Sequence, residues 1–262
     1  MIGRIQIETI LKENRTVLSK EFFTPPYKVM NITEDRKALS LILMLMSSSP
    51  GMLDHDEYQI DIKIKKNSSL ILKTQSYQRL FDMQSGAVQK TTILIEEGGS
   101  LCFIPHPVVP HKNSIYLSKN EIYMHETSSL IWGEILTCGR KTKNEIFEFS
   151  KLQTITSIFI NNKLAIRDNL LMQPAIITPE NIGQLEGFTH QAGMMLHLPE
   201  YSKSEIKSMI FDFLKSETTI RFGLSNAPGN FLVVRILANG AEILFSLLHD
   251  IGNKCQNFSD VC

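Results

Sequence analysis

The stretch Tyr58-Gln59-Ile60-Asp61-Ile62-Lys63-Ile64-Lys65-Lys66-Asn67-Ser68-Ser69-Leu70-Ile71-Leu72 decides the fold class. Its first half alternates apolar and polar residues with a period of two, as a strand does when one face meets a core and the other meets water. It then breaks at a small polar turn and restarts at once as an apolar strand. That restart is echoed by Gly98-Gly99-Ser100-Leu101-Cys102-Phe103 and by Thr127-Ser128-Ser129-Leu130-Ile131-Trp132, at a spacing of roughly thirty residues. Such a period suits stacked β layers, each covering the apolar face of the one before. Small polar residues also end most strands, so the echo predicts layered sheets and stops short of a solenoid.

Working outward, Leu152, Thr154, Thr156, Ile158 and Ile160 keep the two-residue period. Asn161-Asn162 then predicts a tight hairpin into Lys163-Leu164-Ala165-Ile166, because Asn tolerates positive φ. The apolar run Leu39 to Met46 reads as a buried strand, far short of the ~20 residues that span a bilayer. After Pro199 the pattern changes. Ser202-x-x-Glu205 has the form of a capping box, and Ile206, Met209, Ile210, Phe213 and Leu214 follow at helical spacing. A second helix is expected from Asn239-x-x-Glu242 through Leu244, Leu247, Leu248 and Ile251, with Gly252 as its stop. Between them Thr218 to Phe222 and Phe231 to Ala238 predict a hairpin around Asn226 to Asn230. The fold expected is mainly β, stacked or layered and β-helix-like, up to about residue 199, with helices near 203–215 and 240–251. No Pro/Gly/Ser-rich linker divides the chain, so 1–262 is expected to be a single domain.

The 27 basic and 27 acidic residues balance. A nucleic-acid binder needs surplus Lys and Arg to neutralise phosphates, so none is expected as partner. The N-terminus lacks the apolar run and small-residue cleavage site of a signal peptide. The four cysteines, Cys102, Cys138, Cys255 and Cys262, form no CxxC spacing. A cytoplasmic protein without a membrane partner is expected.

Motifs for chemistry are sparse. No G-x-S-x-G elbow, P-loop or G-x-G-x-x-G occurs, so neither a nucleophilic enzyme nor a nucleotide binder is expected. His106 (between two prolines), His111 and His125 fall in one β stretch, and they are the ligands of the alternative reading, a β-sandwich or cupin-like metalloenzyme. An iron–sulfur scaffold on Cys102 and Cys138 is a weaker alternative. Glu134 sits inside Leu130 to Leu136, an apolar strand. A buried carboxylate needs a partner, hydrogen bonds or internal water. Two readings follow: a salt bridge, with Arg140 the nearest candidate, or the polar lining of a passage whose exchangeable oxygen ligands hand on a hydrated divalent ion. Arg235, in Phe231 to Leu237, likewise implies a fixed carboxylate or carbonyl partner.

A further set of segments runs in order along the chain: Phe22-Phe23-Thr24-Pro25-Pro26-Tyr27, Ser49-Pro50-Gly51-Met52-Leu53-Asp54-His55-Asp56, Lys73-Thr74-Gln75-Ser76, Pro105-His106-Pro107-Val108-Val109-Pro110-His111 and Glu134 to Phe147 with Gly139-Arg140 and Glu145. Lys163 to Leu171 with Asp168, and Val233 to Leu237 with Arg235, continue it. Taken in this order, the segments resemble the UreD (UreH) family of urease accessory proteins. The resemblance implies a non-catalytic chaperone for nickel insertion. It would bridge apo-urease to UreF-type and UreG-type partners, the latter a GTPase, with nickel in transit and no tightly bound cofactor or nucleotide. By motif position it offers Asp56, Gln75, Glu134 and Glu145 as lining of a nickel passage, and Pro25, Pro26, Gly139, Arg140, Asp168 and Arg235 as structural positions.

Overall fold

The computed structural model describes residues 1–35 and 38–257. Cys262 lies outside them. One sheet runs in the order β14 (Lys163–Met172), β13 (Lys151–Ile160), β11 (Ile115–Met124), β8 (Ala87–Ile95), β5 (Glu57–Ile64), β1 (Ile2–Lys12) and β2 (Arg15–Phe23). The other runs β16 (Arg221–Ala227), β17 (Phe231–Ala238), β15 (His190–His197), β12 (Ser129–Leu136), β9 (Ser100–Phe103), β6 (Ser69–Thr74), β4 (Leu41–Ser47) and β3 (Tyr27–Asn31), with the short β10 (Val108–Pro110) beside β12 and β7 (Gln78–Leu80) beside β10. The chain passes from one sheet to the other and back, so that β5, β8, β11 and β13 pair in parallel in the first sheet and β4, β6, β9 and β12 in the second.

The sequence echo is the register of this stack. Ser69 pairs with Ser100 and Ser100 with Ser129, and Leu70, Leu101 and Leu130 align above Leu41. All four leucines are buried. On the facing sheet Ile7, Ile62, Ile93, Ile122 and Ile158 form a matching ladder. The two ladders meet as a dry core, since aligned in-register side chains remove apolar surface at every layer.

Helices α1 (Lys203–Lys215) and α2 (Ala241–Asn257) cover only the outer face of the second sheet. There Ile131, Ile135, Met194, Val234 and Ile236 pack on Leu244, Leu248 and Ile251. Strands β12 and β15 are therefore buried on both faces and read as continuous apolar runs. The outer face of the first sheet carries Asp61, Lys90, Lys119 and Glu121 in solvent.

Several local expectations hold. Asn161 and Asn162 take φ of 48° and 64° at the β13–β14 hairpin, and β16 and β17 form the second expected hairpin, with its first strand at Arg221–Ala227 rather than Thr218 to Phe222. Others are corrected. Ser202 is the N-cap of α1 but makes no side-chain cap bond; its hydroxyl meets that of Ser204 instead. At α2, Asn239 accepts from Thr189 and Glu242 binds Tyr77, so no capping box forms. Gly252 does not end α2, which runs on to Asn257; a Cβ there would lie 2.8 Å from Ile104, so Gly252 lets the helix sit close to the sheet. Leu39 is exposed, and β4 buries only Leu41, Leu43 and Leu45. Among the described residues no helix is long and apolar enough to cross a membrane.

Candidate functional site: a cavity between the sheets

The ladders do not fill the sandwich to its end. One layer beyond the isoleucines, the inward row of the first sheet reads Ile60, Thr91, Asn120, Thr156 and Asp168; the next reads Tyr58, Gln89, Ser118 and Thr154. The facing row of the second sheet reads Glu134, Gly193, Arg235 and Gly223. Polar and glycine residues at these heights leave a cavity of about 1300 Å³, counting space open to solvent. It lies between the ladder core and a smaller apolar cluster around Leu80, Tyr116, Phe149 and Met172.

Three of the loops singled out in the sequence meet at its lip: Ser49-Pro50-Gly51, Thr74 to Gln78, and Pro105-His106. A Cβ on Gly51 would come within 2.5 Å of the Arg79 carbonyl, so only glycine allows the first loop to lie against β7. Thr74 ties the other two together: its hydroxyl accepts from the His106 backbone N–H at 2.8 Å and lies 2.9 Å from His106 Nδ1. The His106 ring stacks on Phe245 of α2, and Tyr77 donates to Glu242.

Glu134 is the carboxylate of the cavity wall. Its Oε1 accepts from Thr156 Oγ1 (2.6 Å), Trp132 Nε1 (2.9 Å) and Asn120 Nδ2 (3.2 Å). All three donors reach one oxygen, which leaves Oε2 without a protein donor among the described residues. Burial holds the carboxyl above its ordinary range, with Asp168 adding to the rise, while the Thr156 and Trp132 bonds and the Arg235 charge oppose it. Arg235 Nη2 lies 2.6 Å from Asp168 Oδ1. The guanidinium lies across Gly193, where a Cβ would stand 2.7 Å from Nη1.

Of the four lining candidates, Gln75 and Glu134 face this cavity and Asp56 and Glu145 do not. Asp56 binds the Met1 amino group (2.7 Å), the Leu53 N–H (2.8 Å) and the hydroxyl of Tyr58, whose ring forms part of the wall. Glu145 is clamped by Arg140 through two guanidinium nitrogens, and that positive charge holds its carboxyl below the usual range. The expected Glu134–Arg140 bridge is thereby corrected: Arg140 turns back to a partner five residues along its own loop. Gly139 makes that loop possible, with φ of 118° and the Glu145 and Pro110 carbonyls within 2.9 Å of where a Cβ would sit. Pro25 and Pro26 are joined by a cis bond, and the Pro26 ring lies beside Gly3.

The histidine trio does not assemble. His106 is at the cavity lip, His111 packs on Phe81, and His125 lies in the turn before β12. The length of β9, four residues or ~13 Å, separates the ends at which His106 and His125 lie. Among the described residues no group of three or more His, Cys, Asp or Glu is arranged to hold a metal. Cys102 and Cys138 are free thiols.

Residue-level reading missed Asn120, Thr156, Trp132, Gly193, Gln78 and Gln89. A signal for Thr156 was present: Thr154 and Thr156 interrupt the inward face of β13 at two successive positions.

A family model described as UreD urease accessory protein matches residues 1–257. The chain belongs to the UreD urease accessory protein family. A urease accessory protein UreD of Flavobacterium johnsoniae is 43% identical over 97% of this chain and 92% of its own length. The UreD of Acetivibrio thermocellus is 33% identical over 96% of each chain, and that of Haemophilus influenzae 32% identical over 98% of this chain and all of its own. As a UreD, the chain is an accessory protein and not an enzyme, which removes the metalloenzyme alternative.

Proposed function

We propose that this UreD is a maturation chaperone for urease, acting in the cytoplasm as a scaffold between apo-urease and UreF-type and UreG-type partners, and that its cavity passes nickel in transit to the urease active site. The observation that carries the reading is Glu134, a carboxylate with one oxygen fixed by three donors and the other turned to no protein donor among the described residues, in a cavity where Gln75, Gln78, Gln89, Ser118 and Asn120 set amide and hydroxyl groups into a largely apolar wall. Such ligands hold a hydrated divalent cation weakly and release it, whereas a cluster of imidazoles and thiolates would keep it. Gln75 at the lip supplies a further neutral oxygen. GTP is bound by the UreG-type partner, and this chain carries no nucleotide or resident cofactor.

The test is Glu134→Gln, which keeps the shape and removes the charge. Coexpressed with urease and its other accessory proteins, the variant is expected to copurify with the UreF-type partner as the wild type does and to yield urease activity several-fold lower. Full activation would make Glu134 a structural residue only.

A further inference from the structure

Among the described residues, Glu134 is the one carboxyl and Arg235 the one guanidinium in the cavity wall, beside the His106 imidazole and four tyrosines, Tyr27, Tyr58, Tyr77 and Tyr116. Their placement is built rather than incidental. Glu134, Gly193 and Arg235 are cross-strand neighbours on β12, β15 and β17. Strands lie ~4.8 Å apart, so a side chain laid over the middle strand is one strand spacing from Glu134. Gly193 leaves that lane open, and the guanidinium occupies it. From there it reaches across to Asp168 on the opposite sheet, at 2.6 Å. Asp168 is in turn the register partner of Thr156, the donor closest to Glu134. Two carboxylates from different sheets thus flank one tethered positive charge.

We infer that Arg235 is an internal counter-cation: it occupies the lane between Glu134 and Asp168 that a divalent cation would take, and it lowers the cavity's affinity so that the cation moves on. This rests on the transit reading above and gives Arg235 a positioning role in it. An arriving cation and the guanidinium compete for the same carboxylate field. Because the arginine is tethered, it returns when the cation leaves, and Glu134 and Asp168 are never left together without a positive charge beside them. No covalent step is involved. Lysine preserves the charge on a flexible stem and arginine the fixed fork, so the conservative variant separates charge from geometry.

The test is direct binding of Ni²⁺ (as the chloride) to the full-length chain by equilibrium dialysis, with thermal unfolding followed in parallel. Arg235→Gln is expected to bind Ni²⁺ at least tenfold more tightly than the wild type. Adding Glu134→Gln to that variant should abolish the gain, and Arg235→Lys should remain within about threefold of the wild type. In urease activation Arg235→Gln should then be slower despite its tighter binding, the opposite of what loss of a ligand produces. Equal or weaker binding in a folded Arg235→Gln would overturn the inference. If that variant does not fold, Gly193→Ala decides, since its methyl displaces the guanidinium without removing it: a several-fold gain supports the inference and no gain overturns it. The two readings fail separately. Full activation by Glu134→Gln sinks transit, and unchanged Ni²⁺ affinity in Arg235→Gln sinks the counter-cation.

Discussion

Replacing Thr156 by valine isolates the hydrogen bond that fixes Glu134. The two side chains have nearly the same shape, and Thr156 is almost wholly buried, so packing changes little. What is lost is the 2.6 Å bond to Oε1 and the acceptor that Asn120 uses at 3.0 Å. A hydrogen bond to a charged group contributes ~1.5–3 kcal/mol. For a chain of this size each kcal/mol moves Tm by about 2–4 °C, so a fall on the order of 3–12 °C is expected where Glu134 is ionised. The pH dependence has a definite sign. Burial raises the Glu134 carboxyl above its unfolded value of 4.5, so between those two values the native state holds the extra proton and ionisation costs stability as pH rises. Losing the Thr156 donor, which opposes that rise, lifts it further. The gap between Thr156→Val and wild type should therefore narrow as pH falls toward 5. Thermal unfolding of wild type, Thr156→Val and Thr156→Ser at several pH values measures this. If serine, which keeps the hydroxyl, loses as much as valine, or the gap is the same at every pH, the cost lies in packing and the reasoning fails.

Two further outcomes follow from other parts of the molecule. Leu101→Ala, in the middle of the leucine ladder at 1% exposure, should cost ~2–5 kcal/mol in chemical denaturation, while Leu94→Ala on the solvent face, at 39% exposure, should stay within about 1 kcal/mol; equal costs would contradict the layered core. Burial lowers His190 from 6.5 to about 4, so the unfolded chain takes up its proton first and stability falls as pH drops from 6.5 toward 4, by at most ~3 kcal/mol; His190→Gln should flatten that slope, and an unchanged slope would show that His190 titrates normally.

The fold was legible because its rule is local. Alternation along Tyr58 to Ile64 assigns faces, and the recurrent Ser-Leu start fixes register, so the echo could be read before any pairing was known. The family likeness was legible for a related reason: three of its motif loops meet at the lip, where Gly51 lies against the Arg79 carbonyl of β7 too closely for a Cβ. The cavity was not legible in the same way. Thr91, Asn120, Thr156 and Glu134 are far apart in sequence, and only the pairing of β8, β11 and β13 in one sheet, with β12 facing them from the other, brings them to one height. Arg140 misled because proximity in sequence favoured it as the partner of Glu134, whereas the positive φ of Gly139 turns it toward Glu145. The carboxylate partner expected for Arg235 exists, but naming Asp168 required both sheets. The cap expected at α2 failed for a tertiary reason, since Asn239 and Glu242 bind Thr189 and Tyr77 from elsewhere in the chain.

The most direct measurement is the nickel content of urease matured with a UreD whose cavity is plugged. Ser118 lines the cavity on β11, so Ser118→Phe sends a ring into open space. With the variant's Tm and its copurification with the accessory partners close to wild type, metal analysis of the purified urease should find it largely nickel-free. Urease carrying its full nickel complement behind a plugged cavity would contradict passage between the sheets.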